Sequence, residues 1–91
     1  MPTNADLGQA IRRLRRERSL TIETLAFDAG KHPTYLSGTE CGLRNPTSDR
    51  ITSIARALDV PASAIVRAAE QEAEIAVTVR DVQARMTNEH H

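Results

Sequence analysis

Residues 32–42, HPTYLSGTECG, gather most of the side chains here that could touch a partner selectively. His32, Thr34, Tyr35 and Ser37 carry ring nitrogens and hydroxyls that donate and accept hydrogen bonds at short reach, and Gly38 leaves room for a close approach. That is the chemistry of recognition rather than of bond making. No carboxylate pair, no histidine and cysteine arrangement and no glycine-rich phosphate loop accompanies these residues, so the chain does not read as an enzyme. His32 alone cannot hold a metal, and Cys41, the single cysteine, cannot close an internal disulfide. His90 and His91 end the chain like the remnant of an expression tag and are set aside. No cofactor and no metal is implied.

A segment of this kind must be held by its neighbours. With 91 residues the chain supports one small core, and with Tyr35 and Phe27 as its only aromatics that core must be built from Leu, Ile, Val and Ala on helices. Leu7, Ile11 and Leu14 recur at helical spacing between arginines, which predicts an amphipathic helix over residues 5–18 entered from Asn4, with Ser19 interrupting it. LTIETLAFDAG then predicts a short helix capped by Thr21, stapled by Leu20 and Leu25, and closed by Gly30. Pro33 suits the first position of a third helix, anchored by Leu36 and closing at Gly42. After the loop LRNP, Thr47 caps a fourth helix whose inward stripe is Ile51, Ile54, Ala55 and Leu58. Pro61 breaks it, and Ile65 opens the next.

Beyond residue 66 the composition stays helical. Ile75, Val79, Val82 and Met86 fall at spacings of four and three, like a coiled-coil seam about two heptads long. EIAVTV also alternates with period two, so a short strand over residues 75–82 competes with the helix. The reading divides the chain into a domain over residues 1–66 and an extension over 67–91, a dimerisation helix with a disordered end. The apolar seam has nothing left in the bundle to cover it, so it buries against a second copy or folds back on the first helix. The homodimer is preferred.

Net charge is zero, but its distribution is uneven. Residues 1–20 hold five arginines against Asp6 and Glu17, a balance of +3, whereas residues 61–91 hold three arginines against five acids, a balance of −2. This suits a basic face and an acidic tail, although an arginine-rich helix face can also be merely solvated. With no signal-peptide pattern and no membrane-length apolar run, the reading is a cytoplasmic protein that makes no contact with a membrane.

Two short helices joined by a tight glycine-containing turn and flanked by longer amphipathic ones describe a helix-turn-helix unit. Its second helix, supported from behind, presents His32, Thr34, Tyr35, Ser37 and Gly38 outward, at a size that enters the major groove of double-stranded DNA.

Residues 8–66, and above all TYLSGTECGLRNPT, resemble the Cro and repressor-like helix-turn-helix family, also called the Xre family, close to its restriction-modification controller type. The likeness rests on the LA dipeptide of the second helix, the glycine after it, and Glu-x-Gly with a trailing Asn-Pro. It implies an all-α, compact five-helix bundle of the lambda-repressor type. It also implies a transcriptional regulator that binds an inverted-repeat operator as a dimer, its two reading helices about 34 Å apart. By the same resemblance, base readers fall on Pro33, Thr34, Tyr35 and Gly38, with His32 at the helix mouth. Phosphate contacts fall on the backbone at Thr21 and Ile22, and on Arg44, Asn45 and Thr47; Arg15 and Glu40 take the place of the family's buried charge pair.

Four positions depart from the family pattern. Ile22 stands where a glutamine is common, Pro33 where many relatives have arginine, Thr39 where a larger aliphatic residue is usual, and Cys41 where a basic residue is frequent. These changes remove polar contacts to DNA and leave Thr39 to anchor the third helix less firmly. They keep open an alternative in which the scaffold acts mainly through a protein partner, a co-regulator or a toxin bound by an antitoxin-like bundle.

Overall fold

The computed structural model describes residues 2–89, in which five helices follow one another: α1 (Asn4–Glu17), α2 (Ile22–Asp28), α3 (Pro33–Glu40), α4 (Ser48–Ala57) and α5 (Ala62–Glu89). No strand occurs among the described residues. Thr3, not Asn4, opens α1. Its hydroxyl accepts the Asp6 N–H at 3.1 Å while the Asp6 carboxylate accepts the Thr3 N–H at 2.8 Å, so each residue satisfies a donor of the other. Thr21, His32 and Thr47 open α2, α3 and α4, each with a side-chain acceptor for a backbone N–H of the first turn.

The first four helices also share one way of ending. Ser19, Gly30, Gly42 and Asp59 adopt left-handed backbone (φ 55, 68, 78 and 59°), and the next residue's N–H turns back onto the helix. Those bonds run from Leu20 to the Arg15 carbonyl (3.1 Å), Lys31 to Ala26 (2.8 Å), Leu43 to Gly38 (2.9 Å) and Val60 to Ala55 (3.0 Å). Ser19 is thus the residue that turns the chain, at a conformational cost of roughly 1–2 kcal/mol that glycine would not incur.

Ile11, Leu25, Leu36, Ile54 and Ile65, one from each helix, are fully buried together with Leu58. Each contributes about 1.5–3 kcal/mol of apolar burial. A second, smaller cluster of Ala10, Ala68 and Ala69, flanked by Leu7 and Leu14, lets α5 lie close along α1.

Residue 66, where the sequence suggested a junction, falls inside α5, which runs on without a break. Ile65, Ala68 and Ala69 are buried, Glu72, Ala73 and Ala76 partly so, and every residue from 77 to 86 is exposed. The helix therefore projects from the bundle, and the long dimension reaches 52 Å against 23 Å across. EIAVTV is helical. A lone strand would leave its N–H and C=O groups unpaired, whereas a helix satisfies its own. His90 and His91, at the end expected to be disordered, lie outside the described residues. No described helix is long and apolar enough to cross a membrane.

Gly8 sets the distance between α1 and the end of α3. A Cβ there would stand 2.5 Å from the Glu40 carbonyl oxygen and 2.8 Å from its carbon, and backbone cannot move aside as a flexible side chain can. In an unconstrained helix, replacing glycine by alanine stabilises by about 0.5–1 kcal/mol. Gly8→Ala is expected to do the reverse and lower stability by about 1–3 kcal/mol, as read from urea unfolding.

Candidate nucleic-acid interface

What aims α3 is a pair of charges from outside its apolar anchor. The Arg15 guanidinium donates from Nε to Glu40 Oε2 at 2.7 Å and from Nη2 to Glu40 Oε1 at 3.0 Å, while Nη1 donates to the Leu20 carbonyl at 2.8 Å. Arg15 is 9% exposed and Glu40 4%. The bond to Glu40 pushes the Arg15 pKa above its ordinary value, against burial, which lowers it. One side chain of α1 thereby ties the last turn of α3 to the corner before α2. Thr39, where the family more often has a larger aliphatic residue, is fully buried, and its hydroxyl donates to the Tyr35 carbonyl at 2.9 Å.

The start of α3 faces outward. His32 is exposed, and its Nδ1 accepts the Thr34 N–H at 3.0 Å. A neutral imidazole that accepts at Nδ1 carries its proton at Nε2, so the ring offers a donor to whatever approaches. Thr34 is exposed, and Pro33, Tyr35, Ser37 and Gly38 are half-buried. An open groove of about 710 Å3 is lined by Ile22 and Glu23 of α2 and by Pro33, Thr34, Ser37 and Gly38 of α3, with Arg44 also lining it. Glu23 was not singled out from the sequence. Its carboxylate is an acceptor in that groove, suited to an exocyclic amine and unsuited to a phosphate.

Tyr35 is placed differently from its neighbours. Its hydroxyl is buried without a hydrogen-bond partner among the described residues, while the Arg50 guanidinium lies 4.7 Å and that of Arg44 5.9 Å from the ring centroid. Arg44 lies across Gly38, where a Cβ would come within 3.2 Å of its Cγ. The space Gly38 leaves is therefore taken by a side chain of the same molecule. Arg50 was also missed from the sequence, where neither its spacing nor its type sets it apart from other surface arginines.

Among the phosphate candidates, Thr21 caps α2 by accepting the Thr24 N–H at 3.1 Å, Ile22 is half-buried, and helix geometry leaves the first N–H groups of α2 without partners inside the helix. Arg44 and Asn45 are exposed, and Thr47 accepts the Arg50 N–H at 3.3 Å. The arginine-rich α1 is turned partly inward. Arg13 pairs with Glu72 at 3.0 Å and donates to Gln71 at 3.2 Å, so some of the basic excess is spent on the acidic helix. On α5, Ile75, Val79, Val82 and Met86 are about half exposed, and Val66 and Val77 are exposed as well. No metal-binding cluster of His, Cys, Asp or Glu occurs among the described residues.

Comparison with known proteins agrees with this geometry. The family described as Helix-turn-helix matches residues 11–65. Control protein C.BamHI of Bacillus amyloliquefaciens is 43% identical over 54 residues, covering 58% of this chain and 67% of its own. The clp gene regulator ClgR of Corynebacterium glutamicum has a similar structure (TM-score 0.88, 26% identity) over 97% of this chain and 93% of its own. The restriction-modification controller protein C.Esp1396I, solved as a tetramer in complex with its natural 35-base-pair operator, matches 76% of this chain and 91% of its own (TM-score 0.70, 28% identity).

A buried pair broken on one side leaves an uncompensated charge. Arg15→Ala and Glu40→Ala are each expected to cost about 3–5 kcal/mol in urea unfolding. The double variant should cost clearly less than their sum, with a coupling of about 0.5–3 kcal/mol. Additive losses would mean that the two charges act separately.

Proposed function

Since the chain belongs to the Cro and repressor-like (Xre) helix-turn-helix family, matched over residues 11–65, we propose that it is a sequence-specific regulator of transcription that binds double-stranded DNA. It acts as a homodimer on an inverted-repeat operator in the cytoplasm. The observation that carries this reading is the outward display of the start of α3 beside an open groove, with its far end clamped by Arg15 and Glu40. In a major groove, the His32 Nε2–H, the Thr34 hydroxyl and methyl and the Ser37 hydroxyl would reach base edges. The N–H groups at the start of α2, Arg44, Asn45 and the α4 cap around Thr47 would bind the flanking phosphates and set the register. Operator binding by C.Esp1396I supports the assignment by analogy.

The half-exposed seam of Ile75, Val79, Val82 and Met86 suits a two-fold contact between two copies of α5. The second reading, action mainly through a protein partner, has an observation of its own. Phe27 is 85% exposed on α2 and Leu43 82% exposed after α3, and large apolar side chains so open suit a protein contact.

Fluorescence anisotropy with a randomised duplex pool at two salt concentrations tests the main reading. Binding should enrich a palindrome; weak binding without a selected site would favour the protein partner. Arg44→Ala should weaken all duplexes alike and lower the salt dependence by about one ion. In sedimentation, Ile75→Asp combined with Val82→Asp should convert a dimer into a monomer, and a double variant that stays dimeric would place the contact elsewhere.

A further inference from the structure

Two cations share one aromatic ring here, and no carboxylate pairs with either among the described residues. The Arg50 and Arg44 guanidinium groups lie 4.7 and 5.9 Å from the Tyr35 centroid, both within the distance of about 6 Å at which a ring attracts a cation. Both arginines are exposed, and neither forms an ion pair among the described residues. Arg50 also occupies the first turn of α4, where the helix dipole disfavours positive charge. Two like charges held at one ring repel each other, and an anion bound by both relieves the repulsion. Both are also placed in advance: the ring carries each of them, and Gly38 admits the stem of Arg44.

We propose that Tyr35, Arg44 and Arg50 form a preassembled clamp for one backbone phosphate of DNA. Arg50 is a phosphate ligand alongside Arg44. Tyr35 is a positioning residue rather than a base reader, because its hydroxyl is buried and the ring serves as the platform. The two non-bridging oxygens of a phosphodiester accept from the two guanidinium groups, and arginines already in place lose less freedom on binding than free ones. The clamp rests on the DNA-binding reading above but concerns a separate contact within it.

Tyr35 is the only tyrosine and tryptophan is absent, so intrinsic emission reports on this ring. Two titrations are run in parallel, one with sodium polyphosphate followed by tyrosine emission, the other with a labelled mixed-sequence duplex followed by anisotropy over a range of salt. Polyphosphate should change the emission of the wild type and not that of Arg50→Gln. Arg50→Gln should weaken duplex binding roughly tenfold and lower the slope of log affinity against log salt by about one ion. Tyr35→Leu should weaken binding to a similar degree, add nothing when combined with Arg50→Gln, and be restored by Tyr35→Phe, which keeps the ring; circular dichroism checks that each variant is folded. Equal losses in Tyr35→Phe and Tyr35→Leu would make the hydroxyl itself a contact and overturn the positioning role. An unchanged salt slope in Arg50→Gln, with duplex binding intact and no emission response, would overturn the clamp and leave the DNA reading standing. An emission response without any duplex binding would do the opposite.

Discussion

The outward helix depends on a buried ion pair that it shares with another helix. α3 has eight residues, of which Leu36 and Thr39 are fully buried, and so short a helix is unstable in isolation. Burial of one leucine, worth about 1.5–3 kcal/mol, holds α3 to the core but leaves it free to turn about that anchor. The Arg15 fork on Glu40 removes that freedom with two parallel bonds, and a third to the Leu20 carbonyl refers the direction to the corner of the bundle. Desolvation consumes much of the attraction in such a pair. What the fork supplies is orientation, and Gly8 lets α1 come near enough for it to form.

The helices were legible in the sequence to the extent that their signals are local. Thr21, Pro33 and Thr47 mark helix starts because a cap acts over three residues, and Gly30 and Gly42 mark ends because few other residues take their backbone conformation. Asn4 reads as the first cap, a place that Thr3 takes in the structure. Both it and Thr3 can cap, and Asp6, three residues after Thr3, decides between them. Ser19 and Asp59 turn the chain in the same left-handed way as the glycines but carry side chains that give no such signal. The choice between helix and strand near residue 77 was open because periodicity over six residues satisfies both patterns; the absence of any strand to pair with among the described residues settles it.

Contacts between distant residues were legible only in part. Arg15 and Glu40 lie 25 residues apart, and nothing but the family resemblance joins them in the sequence. The close approach at Gly8 carried no sequence signal, since a glycine inside a helix reads simply as a weak helix former. Tyr35 could be placed on the outer side of α3 from its spacing, yet spacing does not tell whether its hydroxyl or its ring is presented. That depends on Arg44 and Arg50, which reach it from a loop and from the next helix. The charge count was likewise a poor guide to the basic surface, because Arg13 is taken up by Glu72 whereas Arg44 and Arg50 form no ion pair among the described residues.

α1 connects these parts mechanically. It packs on α5 through Ala10, Ala68 and Ala69, with Arg13 reaching Glu72 and Gln71, and it packs on α3 through Gly8 and Arg15. Small side chains in the first contact and a backbone approach in the second leave little slack, since close-packed interiors yield only at appreciable cost. A two-fold contact made by the exposed part of α5 would therefore be transmitted through α1 to the angle and spacing of both outward helices. An inverted-repeat site tolerates little error in that spacing, so residues between α1 and α5 that never approach DNA would still govern how well two half-sites are read together. The length of α5 beyond the bundle and the clamped end of α3 are, on this view, two ends of one rigid arm.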